Sequence, residues 1–226
     1  MKQILIIIGI IIIVVVTAKI ILSKNNKPKN IGQISNNIIG NEISSFDLNV
    51  KIPKPSSDFL ELWKAEMENI GLEVEFHPNF DIKNQAGFLP FKIIVTDSSF
   101  TTKYGKGEWL TGFELYISDF DKEDYFSFHE PEDLESIPEN VKKIYDKAEL
   151  DFYFSANPNN NTAEFRMAWY AAATLTKLYD GILEDAYSGK NFTANNVVET
   201  AISKTKQVET ELAEDKWNLK KFVEWN

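Results

Sequence analysis

The 226-residue sequence contains no cysteine and only two histidines, His77 and His129. Without cysteine the chain has no disulfide framework, no thiolate zinc or iron–sulfur site and no cysteine nucleophile. Two histidines are also too few for a multi-histidine metal cage. These absences exclude several common redox and metal chemistries, and we expect neither a cofactor nor a metal ion.

The sequence also lacks the short motifs that identify many enzymes. It has no Gly-x-Ser-x-Gly nucleophile elbow and no His-Glu-x-x-His zinc motif. Glycine and lysine occur together at residues 105–107 and 188–190, but neither segment has the spacing of a phosphate-binding loop, and both are typical of turns. We therefore assign no catalytic residue and expect a protein that is not an enzyme.

One long hydrophobic run is present at the amino terminus. Residues 4–22 are almost all isoleucine, valine and leucine. A helix of that length rises roughly 28 Å, close to the ~30 Å hydrocarbon core of a bilayer, and it pairs its own backbone groups there. The run lacks the spacing of an amphipathic core helix. We therefore predict that residues 1–22 form a single-pass anchor in the cell membrane, with residues 4–22 in the lipid bilayer.

A cleaved signal peptide is the alternative interpretation of this segment. Residues 16–18 resemble a signal-peptidase site, with small residues at suitable spacing and cleavage after Ala18. The region before the run is only Met1-Lys2-Gln3, however, and the apolar run continues beyond Ala18. We favour the uncleaved anchor. Only Lys2 precedes the run, whereas four lysines lie at its end or just after it: Lys19, Lys24, Lys27 and Lys29. The positive-inside rule therefore favours a cytoplasmic position for the domain, and an extracytoplasmic position stays open.

The segment after the anchor differs in composition from the rest of the chain. Residues 23–45 are polar and rich in asparagine and lysine, with Gly32, Gly40 and Pro28. Such a segment has too few apolar side chains to form a core, so we predict a flexible linker. Residues 46–226 have no internal repeat and no break rich in proline or glycine, and we predict that they form one acidic globular domain.

The charge of the chain is distributed unevenly. Residues 1–29 contain five of the 24 basic residues and none of the 34 acidic ones, so residues 30–226 have 19 basic and 34 acidic residues and a net charge of −15. All of the Trp, Tyr and Phe residues also lie in this stretch. Phosphate groups repel a domain of that charge, so we expect no nucleic-acid partner. A basic protein partner suits it better, because opposite charge steers encounter and aromatic side chains supply binding energy.

Alternation of apolar and polar residues predicts five strands in the domain. In the first, Phe46, Leu48, Val50 and Ile52 alternate with polar neighbours until Pro53 ends the strand. Four further strands are predicted at residues 72–76, 88–96, 109–118 and 150–154. A hairpin is predicted around Gly189.

Helical periodicity predicts four helices. The first begins after Ser56 and Ser57, which are predicted caps, and ends at Gly71. Its predicted inner face consists of Phe59, Leu62, Trp63, Met67 and Ile70. A short helix is predicted from Pro138 to Lys147, and a long one extends over residues 165–178. The last, with Thr193 as its cap, has a predicted inner face of Val197, Val198, Ala201, Ile202, Val208 and Leu212.

Strands and helices follow one another without regular alternation, and no glycine-rich turn joins a strand to a helix. This order favours an α+β fold over a doubly wound sheet. We predict a single mixed or antiparallel sheet with packed helices, preceded by the transmembrane helix.

An acidic and aromatic stretch that begins at residue 119 is the most distinctive local feature. We predict that partner contacts are made by Asp119, Asp121, Glu123, Asp124, Tyr125, Phe126 and Glu130. The acidic residues also match several positions of a calcium loop, but Asp124 occupies the sixth position, which requires glycine. We favour a solvated acidic loop, with its aromatic side chains packed under a sheet edge, over a calcium site.

Two segments resemble small acidic bacterial proteins of the immunity type in their layout. One is residues 85–91, which lead into a strand. The other is the alanine-rich helix at residues 171–178, followed by residues 181–183 and a turn at residues 188–189. Immunity proteins neutralise a toxin delivered by a neighbouring cell. The resemblance implies a non-enzymatic inhibitor that binds one cognate toxin, although a long membrane anchor departs from the soluble members.

These observations together favour a membrane-anchored binding protein for a basic toxin or another cationic protein. The alternative is a membrane-anchored hydrolase that uses paired carboxylates, with His77 or His129 as a further group. A cleft that gathers two carboxylates and a histidine would favour the hydrolase. A flat or convex acidic face with aromatic side chains would favour the binding protein. The sequence does not specify the oligomeric state.

Overall fold

The structure is a computed structural model that describes residues 46–96, 105–156, 162–211 and 220–225. The predicted anchor, with residues 4–22 in the bilayer, and the predicted linker, residues 23–45, lie outside the described residues. Among the helices that are described, none is both long and apolar enough to cross a membrane.

The described residues form eight strands and six helices. The strands are β1 (Phe46–Ile52), β2 (Glu73–Phe76), β3 (Ala86–Val95), β4 (Gly107–Asp119), β5 (Leu150–Ala156), β6 (Ile182–Asp185), β7 (Lys190–Thr193) and β8 (Lys220–Lys221). The helices are α1 (Phe59–Asn69), α2 (Lys122–Ser127), α3 (Pro131–Ser136), α4 (Glu139–Tyr145), α5 (Thr162–Leu178) and α6 (Val197–Glu211).

All eight strands belong to one antiparallel sheet. Their order is β2-β3-β4-β5-β1-β6-β7, and β8 pairs with residues Trp109 and Leu110 of β4. The predicted α+β class is confirmed, and the sheet is antiparallel rather than mixed. The hairpin predicted around Gly189 is the connection between β6 and β7.

One face of the sheet, the first face, packs against α1 and α5. Alternate residues of β1 from Phe46 to Ile52 are buried on this face, as their spacing predicts. Trp63 of α1 is also fully buried, and its indole N–H donates to the backbone oxygen of Ala171 in α5 at 2.9 Å. Because a buried indole N–H needs an acceptor, this bond fixes the position of α1 against α5.

Helix α6 packs against α5, and two ion pairs attach it, one to α5 and one to β6. Arg166 of α5 donates from Nε to Glu209 Oε1 of α6 at 2.6 Å, and its Nη2 donates to the other carboxylate oxygen. Lys204 of α6 donates to Asp185 Oδ2 of β6 at 2.5 Å. Arg166, Asp185 and Glu209 are buried, so these pairs are shielded from solvent.

The row of buried residues along α1 and along α6 is narrower than the sequence predicts. In α1 it advances by four residues, through Phe59, Trp63 and Met67. Leu62, predicted on the inner face of this helix, is 38% exposed at the margin of the row. In α6 the row likewise runs through every fourth residue, and Ile202 is 39% exposed. Because an α-helix has 3.6 residues per turn, every fourth residue is displaced slightly around the axis. Residues next to this buried row in the sequence, such as Leu62 and Ile202, therefore reach solvent.

The predicted helix caps are wrong in two places. Asp58, rather than Ser56 or Ser57, precedes the first turn of α1, and its side chain makes no capping hydrogen bond. Thr193 ends β7, and α6 begins four residues later. In both places the predicted cap lies before a further turn of the chain, and the helix begins only after that turn.

Candidate functional site

The second face of the sheet, opposite α1 and α5, carries polar and aromatic side chains. Strand register arranges them in rows that cross the sheet. One row consists of Ser118, Asp151, Lys51 and Ile182; the next of Ala86, Tyr116, Tyr153, Asn49 and Glu184; and the third of Phe88, Glu114, Ser155 and Asp47.

Lys51 occupies the middle of the first row and is only 1% exposed. Its Nζ donates to Glu184 Oε2 at 2.7 Å and lies 3.6 Å from Asp151 Oδ1. The same nitrogen lies 4.9 Å from the centre of the Tyr125 ring. We name the residues around it the Lys51 cluster: Lys51, Asp151, Glu184, Tyr125 and Tyr145. A buried ammonium is stable here because carboxylates and an aromatic ring replace its water shell.

Two tyrosines close the Lys51 cluster from the side of α2 and α4. The hydroxyls of Tyr125 and Tyr145 both donate to Glu184 Oε1, at 2.7 Å and 2.6 Å. Burial raises the pKa of both phenols, and the negative charge of Glu184 raises each pKa further. Glu184 therefore accepts hydrogen bonds from two neutral phenols and from Lys51.

Asp151 is the less well compensated carboxylate of the cluster. Burial raises its pKa above the ordinary value, and the charge of Lys51 works against this rise. Its Oδ1 is buried and accepts no hydrogen bond, although it lies within ion-pair distance of Lys51. Burial thus disfavours the charged form of Asp151 in the folded state.

The residues predicted to bind the partner are divided by the structure. Tyr125 and Phe126 are partly buried, Tyr125 in the Lys51 cluster and Phe126 with its ring centre 5.3 Å from that of Tyr145. Asp121 caps α2, with its Oδ1 accepting from the backbone of Glu123 and Asp124. The remaining exposed carboxylates are Asp119 at the end of β4, Glu123 and Asp124 in α2, and Glu130 before α3. The two predicted aromatic contacts, Tyr125 and Phe126, thus pack with Tyr145 of the Lys51 cluster, whereas Phe128 is 74% exposed.

Rows two and three contain a part of the second face that is partly open to solvent. We name it the open strip: Asp47, Asn49, Phe88, Glu114, Tyr116, Tyr153 and Ser155. Phe88 is 52% exposed and Tyr116 is 46% exposed. The strip has two carboxylates and no basic residue. The open strip has the Lys51 cluster on one side and Lys92 on the other. The Nζ of Lys92 lies 5.2 Å from the centre of the Phe222 ring.

The aromatic and acidic groups of the open strip contact one another. The ring centres of Tyr116 and Tyr153 are 6.1 Å apart, at an interplanar angle of 49°. The Tyr116 hydroxyl donates to Glu114 Oε2 at 3.3 Å. Partial burial raises the pKa of Tyr153, and a hydrogen bond with Asp47 raises that pKa further. Each tyrosine therefore has a carboxylate beside it.

Gly112 determines how Phe88 lies at the end of the strip. A Cβ atom on Gly112 would lie 2.4 Å from the Phe88 ring and 2.5 Å from the backbone oxygen of Leu89. The Phe88 ring thus lies over a position that has no side chain, where it is held flat along β4. Position 112 therefore requires glycine while the Phe88 ring lies there.

The described clefts do not gather the groups that a carboxylate hydrolase requires. A cleft of about 930 Å³ opens at the start of α1. Its lining includes Asp58, Glu61, Asp81, Asp119 and Glu149, and it contains no histidine. His77 follows β2 and packs against Trp225, whereas His129 lies between α2 and α3 and packs against Tyr125. The two histidines thus occupy other parts of the domain.

Metal binding has no candidate in the described part of the chain. No group of three or more histidine and carboxylate side chains there is arranged to hold an ion. Glu123, the fifth position of the calcium pattern, lies in the first turn of α2, and Asp121 uses its carboxylate to cap that helix.

Comparison of the chain with protein-family models, with curated protein sequences and with solved structures finds no match. The geometry of the described residues alone therefore supports the functional argument.

Sequence reasoning did not identify the open strip. Its tyrosines belong to two strands, β4 and β5, and its carboxylates to β4 and β1. One signal was present: the outward positions of the predicted strands include Tyr116 and Tyr153, although a strand with one solvated face usually has polar residues there. Two aromatic residues at such positions indicate a surface that binds something.

Proposed function

We propose that the protein is a membrane-tethered, non-enzymatic binding protein that captures a basic protein on the open strip. The single observation that carries this proposal is the composition of the strip, which combines exposed aromatic rings with carboxylates and has no basic residue. Aromatic side chains supply most of the binding energy in protein interfaces, and opposite charge speeds association.

The charge of the whole domain acts in the same direction. Residues 30–226 have a net charge of −15, which attracts a cationic partner from a distance and repels nucleic acids. The anchor proposed for residues 4–22 and the linker at residues 23–45 would hold the domain at the membrane surface. The positive-inside count favours the cytoplasmic side.

A basic toxin is the partner class that we favour. The layout similarity to immunity-type proteins motivates it, and an inhibitor that works by binding needs no catalytic group. Such a protein would be expressed with one cognate toxin and would block it at the membrane. The acidic residues predicted to bind the partner, such as Asp119 and Glu130, lie outside the strip and would act through long-range charge.

Capture of the partner by the full-length protein tests this proposal. The tagged protein is isolated in a neutral detergent from its own cells, washed at low or high salt, and the retained proteins are identified by mass spectrometry. We expect one strongly basic protein, retained at low salt and released at high salt.

Matched variants locate the binding surface. Asp47→Asn with Glu114→Gln removes the charge of the open strip, whereas Glu132→Gln with Asp133→Asn removes the same charge from exposed positions of α3. The first pair should release the basic protein at lower salt and the second should not. Retention of no basic protein, or equal retention by both double variants, would contradict the proposal.

A further inference from the structure

Three lysines of this domain are bound by the same combination of groups. The Nζ of Lys51 lies between Glu184 and the Tyr125 ring. In the second case, Lys92 Nζ lies 2.8 Å from Glu75 Oε2 and 5.2 Å from the centre of the Phe222 ring. Each ammonium thus pairs with a carboxylate and faces an aromatic ring.

The third case is on the side of α6. The Nζ of Lys204 lies 2.5 Å from Asp185 Oδ2 and 4.6 Å from the centre of the Trp169 ring. A carboxylate supplies the opposite charge, and the negative face of a ring supplies a second attraction that needs no hydrogen bond. The fold thus holds an ammonium group by one arrangement at three separate places. It holds the guanidinium of Arg166 in the same way, paired with Glu209 and 5.2 Å from the centre of the Tyr170 ring.

The open strip combines the same two kinds of group, aromatic rings and carboxylates. Tyr116 and Tyr153 form a tilted ring pair, and Glu114 accepts from the Tyr116 hydroxyl. Asp47 is the diagonal neighbour of Tyr153 in the β1–β5 register, because it pairs with Ser155, two residues along β5. Among the described residues, no lysine or arginine pairs with either carboxylate or lies over either ring.

We propose that Tyr116, Tyr153, Glu114 and Asp47 form a receptor site for a lysine side chain of the basic partner. This inference rests on the proposed function and names the chemistry that its surface recognises. The tyrosine rings would supply the aromatic contact to the ammonium, and the carboxylates of Glu114 and Asp47 would supply the opposite charge. The site would place one lysine of the partner at the centre of the open strip.

The geometry favours lysine over arginine. Glu114 Oε2 already accepts the Tyr116 hydroxyl at 3.3 Å, so a bidentate guanidinium pair would compete with that bond. An ammonium is a compact charge that needs only one carboxylate oxygen. The rings are also tilted by 49° rather than parallel, so they do not form two parallel walls around a guanidinium plane.

A synthetic probe tests the site without the natural partner. Full-length protein in neutral detergent is titrated with a fluorescent peptide of alternating lysine and glycine, and binding is followed by anisotropy. The same titration is made with an arginine peptide and with an acetyl-lysine peptide. We expect the lysine peptide to bind tightest and the acetylated peptide, which lacks the charge, to bind at least about 10-fold more weakly.

Variants connect the binding to the site. Tyr116→Leu and Glu114→Gln should each weaken binding of the lysine peptide by roughly 3- to 10-fold. Tyr187→Leu, at a 56% exposed tyrosine in the β6–β7 turn, and Glu132→Gln should leave it unchanged. Because Tyr116 is exposed, its replacement should not unfold the domain, which thermal unfolding verifies.

The outcomes separate this inference from the proposed function. Equal binding by Tyr116→Leu and Tyr187→Leu, or tighter binding of the arginine peptide, overturns the lysine site even where a basic partner is captured from cells. Loss of lysine-peptide binding in Tyr116→Leu alone supports the site even where no partner is captured.

Discussion

Lys51 and Glu184 form an ion pair across β1 and β6, with 2.7 Å between Nζ and Oε2, beneath the ring of Tyr125. The pair connects the sheet to the helices α2 and α4, because Glu184 also accepts the hydroxyls of Tyr125 and Tyr145. Helices α2 and α4, which contribute little to the main core, are thus attached to the second face of the sheet by polar contacts. This attachment sets the boundary of the open strip.

Loss of the Lys51 charge should strongly destabilise the domain. Lys51→Met leaves Glu184 and Asp151 as buried carboxylates without their cation, and the cost of one unpaired buried partner is about 3–5 kcal/mol in the free energy of unfolding. Lys64→Met serves as the control, because Lys64 forms an exposed pair with Glu68 that is worth about 1 kcal/mol or less. Urea denaturation measures both. A loss for Lys51→Met no larger than that for Lys64→Met would show that the cluster does not stabilise the fold.

Asp151 should make the stability depend on pH. Burial raises its pKa in the folded state, so protonation of Asp151 stabilises the fold at low pH. This contribution is complete below the unfolded pKa of about 3.9 and is lost as the pH rises through the raised folded pKa. Asp151→Asn keeps an uncharged side chain at every pH. Its unfolding free energy relative to that of the wild type should therefore increase as the pH rises from about 4 towards 7.

The control for this pH dependence is Asp133→Asn, at an exposed position of α3. Its stability relative to the wild type should stay nearly constant over the same range. A relative stability of Asp151→Asn that falls with rising pH would mean that Lys51 dominates and that the pKa of Asp151 is lowered.

Gly181 should tolerate no side chain. A Cβ atom there would lie 2.5 Å from the backbone oxygen of Lys51 and 2.8 Å from Ile52 Cγ2. Gly181→Ala should therefore push β1 away from the end of α5 and lower the free energy of unfolding by about 1–3 kcal/mol. Gly105→Ala is the matched control, because nothing lies within 4 Å of its added Cβ. Equal thermal stability of the two variants would show that β1 moves without cost.

The absence of cysteine provides a direct test of membrane orientation. Ser57→Cys introduces a single thiol at an exposed position before α1. The positive-inside count predicts that a membrane-impermeant maleimide labels this thiol only after the cells are permeabilised. Labelling of intact cells would place the domain outside the cytoplasm, and recovery of the thiol in the soluble fraction would favour cleavage after Ala18.

The sequence predicts much of the local structure, because local structure follows from spacing. The apolar alternation in β1 recurs in the structure with the predicted bounds, and the helix predicted at residues 165–178 is α5. Short helices such as α2 were not predicted, because six residues are too few to show a helical period.

The candidate site could not be predicted, because it depends on strand pairing between distant parts of the chain. Alternation shows that Lys51 and Asp151 lie on the side of their strands opposite the core, which usually means solvent. It does not show that they are paired in register or that Tyr125 covers them. The same holds for Tyr116 and Tyr153, which meet only because β4 pairs with β5.

Photo-crosslinking from the open strip tests the central claim most directly. The photoreactive residue p-benzoylphenylalanine replaces Tyr116 in one full-length variant and Tyr187 in another, and living cells that express each variant are irradiated. The account predicts a covalent adduct with a strongly basic protein from position 116 and none from position 187. The same adduct from both positions, or only an adduct with an acidic protein from position 116, would contradict it.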